Sequence, residues 1–366
     1  MDTTWDELAA RAIARQFPVP APDVATTLAQ MGPIQSQTAR STHLGVAARR
    51  PGTTRTEIAE AFESARIVRG STIRGTVHTA TPEHFAALTH ATALGQGALW
   101  RRSLGVDDDT VAALWAATEV FASEEWRTVG DLSAHAAEWL AQRGHRQAAA
   151  HVVTPAGRYL TFGHGGLVRR PVNGAWEGQA AALYRTAAQV TGHPGGADLT
   201  DVVRLHLEHH GPASRHDLAW WAGVGLRAID GALARLDLVE AVGPDGRIYV
   251  DLPDAPDPAA LQGVHLLPEF DALLCAYEPS ARTRFITAAH HRRLWNSANG
   301  TVLSPLLVDG RITGYWRAMG SAARRALSVH WFAGTRAPRT SELDGPVAAV
   351  ESALGITVTD LTCSRE

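Results

Sequence analysis

The chain of 366 residues contains no lysine: all 34 basic side chains in the Lys+Arg count are arginine. A GC-rich genome is enough to explain that bias, yet it excludes chemistry. No side-chain amine is present to form a Schiff base, and no P-loop lysine can cradle a nucleotide phosphate. Cysteine is nearly absent too. Cys275 and Cys363 cannot build a structural zinc site by themselves, although one disulfide stays open to them. No apolar run approaches a membrane span, and Asp2, Asp6 and Glu7 give an N-terminus unlike a secretory signal. The expectation is a cytoplasmic, nucleoid-associated protein. Seventeen histidines are present, but they are scattered or in adjacent pairs (His209-His210, His290-His291) and no H-E-x-x-H string occurs, so no metal site is expected. No cofactor is expected either.

What is present is an ordinary globular composition, 45% hydrophobic and 19% charged, at a length that suits two to four domains. The net charge is −3, but it is unevenly spread. Residues 281–340 hold ten arginines against one acid, Asp309, a balance of +9; residues 197–280 hold five arginines against fourteen acids, a balance of −9. Such segregation lets one face bind a polyanion while the molecule stays near neutral. The alternative is that the basic stretch simply pairs with the acidic one beside it.

Local patterning indicates an α+β chain, mainly α with β-hairpins. From 198 to 250 three short amphipathic helices precede a hairpin, Leu238–Val242 and Arg247–Val250 around Gly243-Pro244-Asp245-Gly246. Three helices and a hairpin make the winged-helix pattern. The order recurs in residues 1–82, with helices near 4–16, 22–31, 36–49 and 55–64 and a hairpin ending at Val77-His78-Thr79. It recurs again in 107–172, with a hairpin of Leu160–Phe162 and Leu167–Arg170. The reading is three tandem winged-helix domains, 1–95, 96–177 and 178–251, then a Pro-rich linker and a small C-terminal β-barrel at 263–366. In that barrel Asp309-Gly310 marks a hairpin turn, and 318–325 forms the tip of a second hairpin.

The polar tripeptide Gln35-Ser36-Gln37 stands out. Two amides one residue apart can grip a small target, and an amide donates and accepts hydrogen bonds without ionising. Three further strings follow in order: Arg74-Gly75-Thr76-Val77-His78, Leu266-Leu267-Pro268-Glu269-Phe270-Asp271, and Val308-Asp309-Gly310-Arg311-Ile312-Thr313-Gly314-Tyr315-Trp316. With these four pieces the chain resembles the winged-helix DNA glycosylases of the azinomycin-resistance type, AlkZ-like and related to the YcaQ-like branch. The Gln-x-Gln pair resembles the AlkZ-type motif; the YcaQ-like branch carries an aspartate at the second position, where this chain has Gln37.

The resemblance implies tandem winged helices with a C-terminal β-barrel around a concave DNA surface. It implies hydrolysis of the N-glycosidic bond of alkylated purines, chiefly N7-alkylguanine, in DNA repair or antibiotic self-resistance, with some members acting on crosslinks. Gln35 and Gln37 become the expected catalytic pair, orienting water. Without lysine the enzyme is expected to be monofunctional, with no lyase activity. Arg74 and His78 are expected to flank the pair and contact phosphate or the lesion, or else to be structural. Arg49 and Arg50 fit phosphate contacts, and Arg324 and Arg325 fit a hairpin tip reaching into a groove. An acid of Glu269-Phe270-Asp271 is expected to pair with an arginine of the barrel, and the tryptophans to fill the core. The expected partner is double-stranded DNA carrying alkylated purines, bound by a monomer. A winged-helix transcriptional regulator without catalysis is the other reading. The sequence does not specify the adduct, crosslink or monoadduct, nor base flipping, nor which wing touches DNA.

Overall fold

The structure, a computed structural model, describes residues 2–19, 21–193, 195–296, 300–320 and 323–366. Helix starts follow the capping chemistry of the sequence. Thr4 with Glu7, Thr54 with Glu57 and Ser214 with Asp217 form reciprocal capping boxes at the helices Trp5–Gln16, Arg55–Glu63 and Arg215–Ala222. Thr81 caps, and Pro82 opens, a helix of 23 residues, Pro82–Leu104, which crosses the expected boundary between residues 95 and 96.

The helices frame several small sheets. One sheet has six strands in the order Ile34–Gln35, Val77–Ala80, Val68–Ser71, Leu167–Pro171, Ala182–Thr186, Arg127–Thr128, every neighbour antiparallel. It therefore joins the first hairpin to the second through the ladder pair Gly70 with Val168. The junction is tight: a Cβ added at Gly70 would lie 2.5 Å from the Leu167 carbonyl oxygen. The second hairpin differs from the sequence expectation. Arg158–Thr161 is a 3₁₀ turn, and the partner of Leu167–Pro171 is Ala182–Thr186. The short apolar run Leu160–Phe162 fits either state, and burial of Leu160 in a helical cluster decided it.

Residues 199–251 match expectation closely. Helices Leu199–His210, Arg215–Ala222 and Leu226–Leu233 precede the hairpin Val239–Val242 with Ile248–Asp251, and Ala213–Ser214 adds a third strand.

The C-terminal sheet runs Val264–Leu266, Ser304–Val308, Arg311–Met319, Arg324–Trp331, Thr357–Arg365. Asp309 and Gly310, at φ 47° and 78°, make its tight turn. Where a small β-barrel was expected it is a curled half-barrel, because the final strand adds parallel to Arg324–Trp331 instead of meeting Val264–Leu266. That strand, Thr-Val-Thr-Asp-Leu-Thr-Cys-Ser-Arg, is largely exposed and too polar to announce itself. The tip of the preceding hairpin includes Ser321 and Ala322, which lie outside the described residues.

Candidate active site

Gln35 ends the edge strand of the six-stranded sheet, directly opposite His78. The helix expected from residue 36 begins only at Arg40, so the tripeptide is extended strand and loop. Ser36 is anchored twice: its N–H donates to the Val77 carbonyl at 2.7 Å, and its hydroxyl meets that of Thr79 at 3.0 Å. Thr79 in turn meets Thr42 at 2.7 Å. This buried hydroxyl chain fixes the middle of the motif and leaves the flanking side chains on either side of it.

Both amides are held by donors that dictate their orientation. Arg74 Nη2 donates to Gln35 Oε1 at 2.9 Å, and the Val77 N–H donates to Gln37 Oε1 at 3.1 Å. An oxygen must face each donor, so the two amide groups are oriented without ambiguity. Each oxygen keeps a second lone pair. Neither amide nitrogen has a partner among the described residues. Gln37 is exposed and Gln35 half-buried.

Arg74 adopts a left-handed backbone, φ 58° and ψ 13°, uncommon for a residue with a side chain. A local turn supports it: Thr72 N–H bonds to Thr76 O and Gly75 N–H to Thr72 O, both at 2.9 Å. Its Nη1 donates to the carbonyl of Trp221, in the last turn of the helix Arg215–Ala222. A cation is favoured at this negative helix end. Burial lowers Arg74 to about 10, which still leaves it charged at neutral pH. Gly223 lies against this side chain, where an added Cβ would come within 3.1 Å of Arg74 Cγ. A carbonyl 147 residues further along the chain thus holds the arginine that holds Gln35.

His78 is 2% exposed, and its Nδ1 lies 2.7 Å from the Thr72 hydroxyl. Burial, with Arg74 close by, pushes it down to about 3, so the imidazole is neutral. It offers no positive charge to a phosphate. The expected phosphate contacts at Arg49 and Arg50 also meet a different geometry. Arg49 is 4% exposed and forms a bidentate pair with Asp271 at 2.9 and 3.1 Å, with a further bond to the Gln16 carbonyl. Arg50 spends its guanidinium on the carbonyls of Ala21 and Pro22 and on Thr53 and Glu57. Glu269 pairs with Arg40 and Asp271 with Arg49, both from the N-terminal region, not with the barrel arginines expected. Packing of Pro268 against Gly45 brings that loop to the N-terminal helices.

Arg324 is exposed and Arg325 half-buried at the start of their strand. Of the ten arginines in 281–340, Arg284, Arg293, Arg311, Arg336 and Arg339 form ion pairs, and of these five Arg284 reaches the acidic stretch, at Asp217. The other four pair outside the acidic stretch. Among the described residues no cluster of His, Cys, Asp or Glu could hold a metal ion, and no helix is long and apolar enough to cross a membrane.

Sequence reasoning missed Arg69. It is 5% exposed, and its Nη2 donates to the Ser36 carbonyl at 2.7 Å. A charged residue inside the short strand Val68–Ser71 was its trace in the sequence.

A family model described as DNA glycosylase AlkZ-like matches residues 28–353. Comparison with curated proteins gives no match. Among solved structures, the Streptomyces sahachiroi DNA glycosylase AlkZ superposes with a TM-score of 0.80, covering 99% of this chain and all of that one, at 19% sequence identity; the likeness is one of fold. The family match spans most of the chain, and the chain belongs to the AlkZ-like DNA glycosylase family.

Proposed function

We propose that this chain is a monofunctional glycosylase that hydrolyses the N-glycosidic bond of N7-alkylguanine in double-stranded DNA, with Gln35 and Gln37 as the water-orienting pair. One observation carries the reading: both amide oxygens are fixed by internal donors, so two lone pairs and two amide nitrogens remain for a shared target. N7-alkylation leaves guanine cationic and already a good leaving group. The remaining task is to hold water near the anomeric carbon and to surround a cationic sugar with fixed dipoles. Amides do this without the cost of burying a carboxylate. Arg74, bonded to Gln35, makes that oxygen a poorer base, so the pair orients water and does not deprotonate it. With no lysine there is no side-chain amine for a covalent intermediate.

The same reading takes 1–95, 96–177 and 178–251 as three winged-helix modules and 263–366 as the barrel-derived domain, working as a monomer. Support comes from the three helices and hairpin of residues 199–251. Arg324 and Arg325 then reach toward the duplex from their hairpin.

Duplex DNA bearing a single N7-methylguanine tests the proposal. Free base should be released, the abasic strand should stay intact until alkali is added, and borohydride should trap no side-chain adduct. Gln35→Ala with Gln37→Ala should slow release by about 10²-fold or more while duplex binding persists. Full activity in the double variant would remove the catalytic assignment. No base release by the native chain, with tight binding to one undamaged sequence, would replace the enzyme by a regulator.

A further inference from the structure

The strands Val68–Ser71 and Leu167–Pro171 share one ladder pair, Gly70 with Val168. The next antiparallel position would set Arg69 opposite Arg169, but the ladder stops and the strands part. A cavity of about 320 Å³ opens in the gap, within the size range of small-ligand sites. Arg69, Arg169, Arg170 and Arg185 all line it. None of the four forms an ion pair among the described residues. Arg185 donates to the Ser123 carbonyl and Arg69 to the Ser36 carbonyl, both neutral acceptors. The carboxylate in the lining, Glu63, is already engaged with Trp176 Nε1 at 2.7 Å.

Arg69 is the telling member. It is 95% buried, and its Nε has no hydrogen-bond partner. Burial first, then repulsion from Arg169, lowers it to about 9, and it stays protonated at neutral pH. A buried cation with an unspent donor, beside a second cation, is costly unless an anion completes it. The two tryptophans do not present stacking platforms. Trp176 lies flat on Phe62 at 4.1 Å, and Arg170 covers Trp126 at 4.4 Å. The cavity therefore suits a compact oxyanion better than a base, and it repels a cationic alkylguanine.

We propose that this arginine cavity is a phosphate-binding site that takes one backbone phosphodiester of the bound DNA and sets the strand's position relative to Gln35 and Gln37. It rests on the glycosylase reading for its role, though not for its chemistry. The link is short, since Arg69 is bonded to the carbonyl of Ser36, between the two glutamines. Gln179, from the loop that follows Leu167–Pro171, donates to the Gln37 carbonyl at 3.3 Å. A phosphate seated here is one residue's contact away from the motif on both sides.

The test uses the full chain and measures binding to undamaged duplex across a salt series, with Arg143→Gln, an exposed arginine outside the cavity, as the charge-loss control. Arg169→Gln should weaken binding about tenfold and reduce the log–log salt slope by about one. Arg169→Lys should recover most of both. On a second duplex, bearing a single N7-methylguanine, a methylphosphonate moved along the lesion strand should weaken native binding at one position and have no further effect there on R169Q. Affinity and slope equal to those of R143Q would overturn the proposal. Inorganic phosphate raising the melting temperature of the native chain but not of R169Q, with duplex binding intact in R169Q, would assign the cavity to free phosphate and overturn the DNA role. Base release by the native chain is scored separately, so its absence would sink the glycosylase reading while the salt slope still judges the cavity.

Discussion

Arg49 and Arg69 lie twenty residues apart and are buried almost equally, at 4% and 5% exposure, yet their surroundings differ in kind. Arg49 belongs to a region where cations meet carboxylates: Arg49 with Asp271, Arg15 with Asp251, and Arg284 with Asp217. Those pairs tie the N-terminal helices and residues 211–217 to the segments around 251, 271 and 284. Arg69 and Arg74 belong to the six-stranded sheet and its turn, where the acceptors are the neutral oxygens of Ser36, Gln35 and Trp221. A carboxylate closes the field of an arginine and makes it structural. A neutral dipole leaves most of that field available to a ligand. Arginines that look alike in the sequence thus divide into fasteners and cations still able to bind.

The largest expected effect breaks the comparison from the fastener side. Arg49→Met strands a buried carboxylate and should cost about 3–5 kcal/mol of stability, whereas Arg69→Met strands none and should cost about 1 kcal/mol. Equal losses in denaturant titrations would erase the distinction. Arg74→Met comes next. It frees the Gln35 amide to rotate and should slow single-turnover base release about tenfold, or about 1.4 kcal/mol in the barrier, with the Gln37 contact intact.

Protons probe the packing around Arg69. His43 is fully buried beside Arg69, and burial, reinforced by that cation, lowers it to about 3 from 6.5. The unfolded chain therefore binds a proton below pH 6.5 that the folded one refuses. The stabilisation is complete above pH 6.5 and is lost as pH falls toward 3. Each such histidine adds about 1.4 kcal/mol per pH unit to the slope. His78, His206 and His209 are lowered similarly. His43→Gln should flatten the slope of unfolding free energy between pH 6 and 4 by about one proton's worth; an unchanged slope would mean that His43 is protonated in the fold. The smallest effect is expected at the rim, where Arg55 and Glu177 pair across the exposed surface at 3.2 Å. Arg55→Ala should change stability by less than about 1 kcal/mol.

Local signals carried much of the architecture. The helices expected near 4–16 and 55–64 start at the capping residues Thr4 and Thr54, and Asp309-Gly310 makes the expected turn, because these devices act within four residues. The same range explains the misreadings. Leu160–Phe162 fits strand or turn until burial chooses, and Thr357–Arg365 lacks a periodic apolar face because most of it stays exposed.

By itself the sequence determined the Gln-x-Gln motif, the exclusion of lysine chemistry, and the helix and hairpin order of residues 199–251, since each is a matter of residue identity or near-neighbour spacing. Only the tertiary structure decided that Arg74 meets Gln35 and the end of a helix near residue 221. Only it decided that Arg49 disappears into an ion pair and that two hairpins fuse so that Arg69 and Arg169 share a cavity. A charge is written in the chain, but its partner lies at a distance in sequence that no local pattern spans, and the partner fixes what the charge can do.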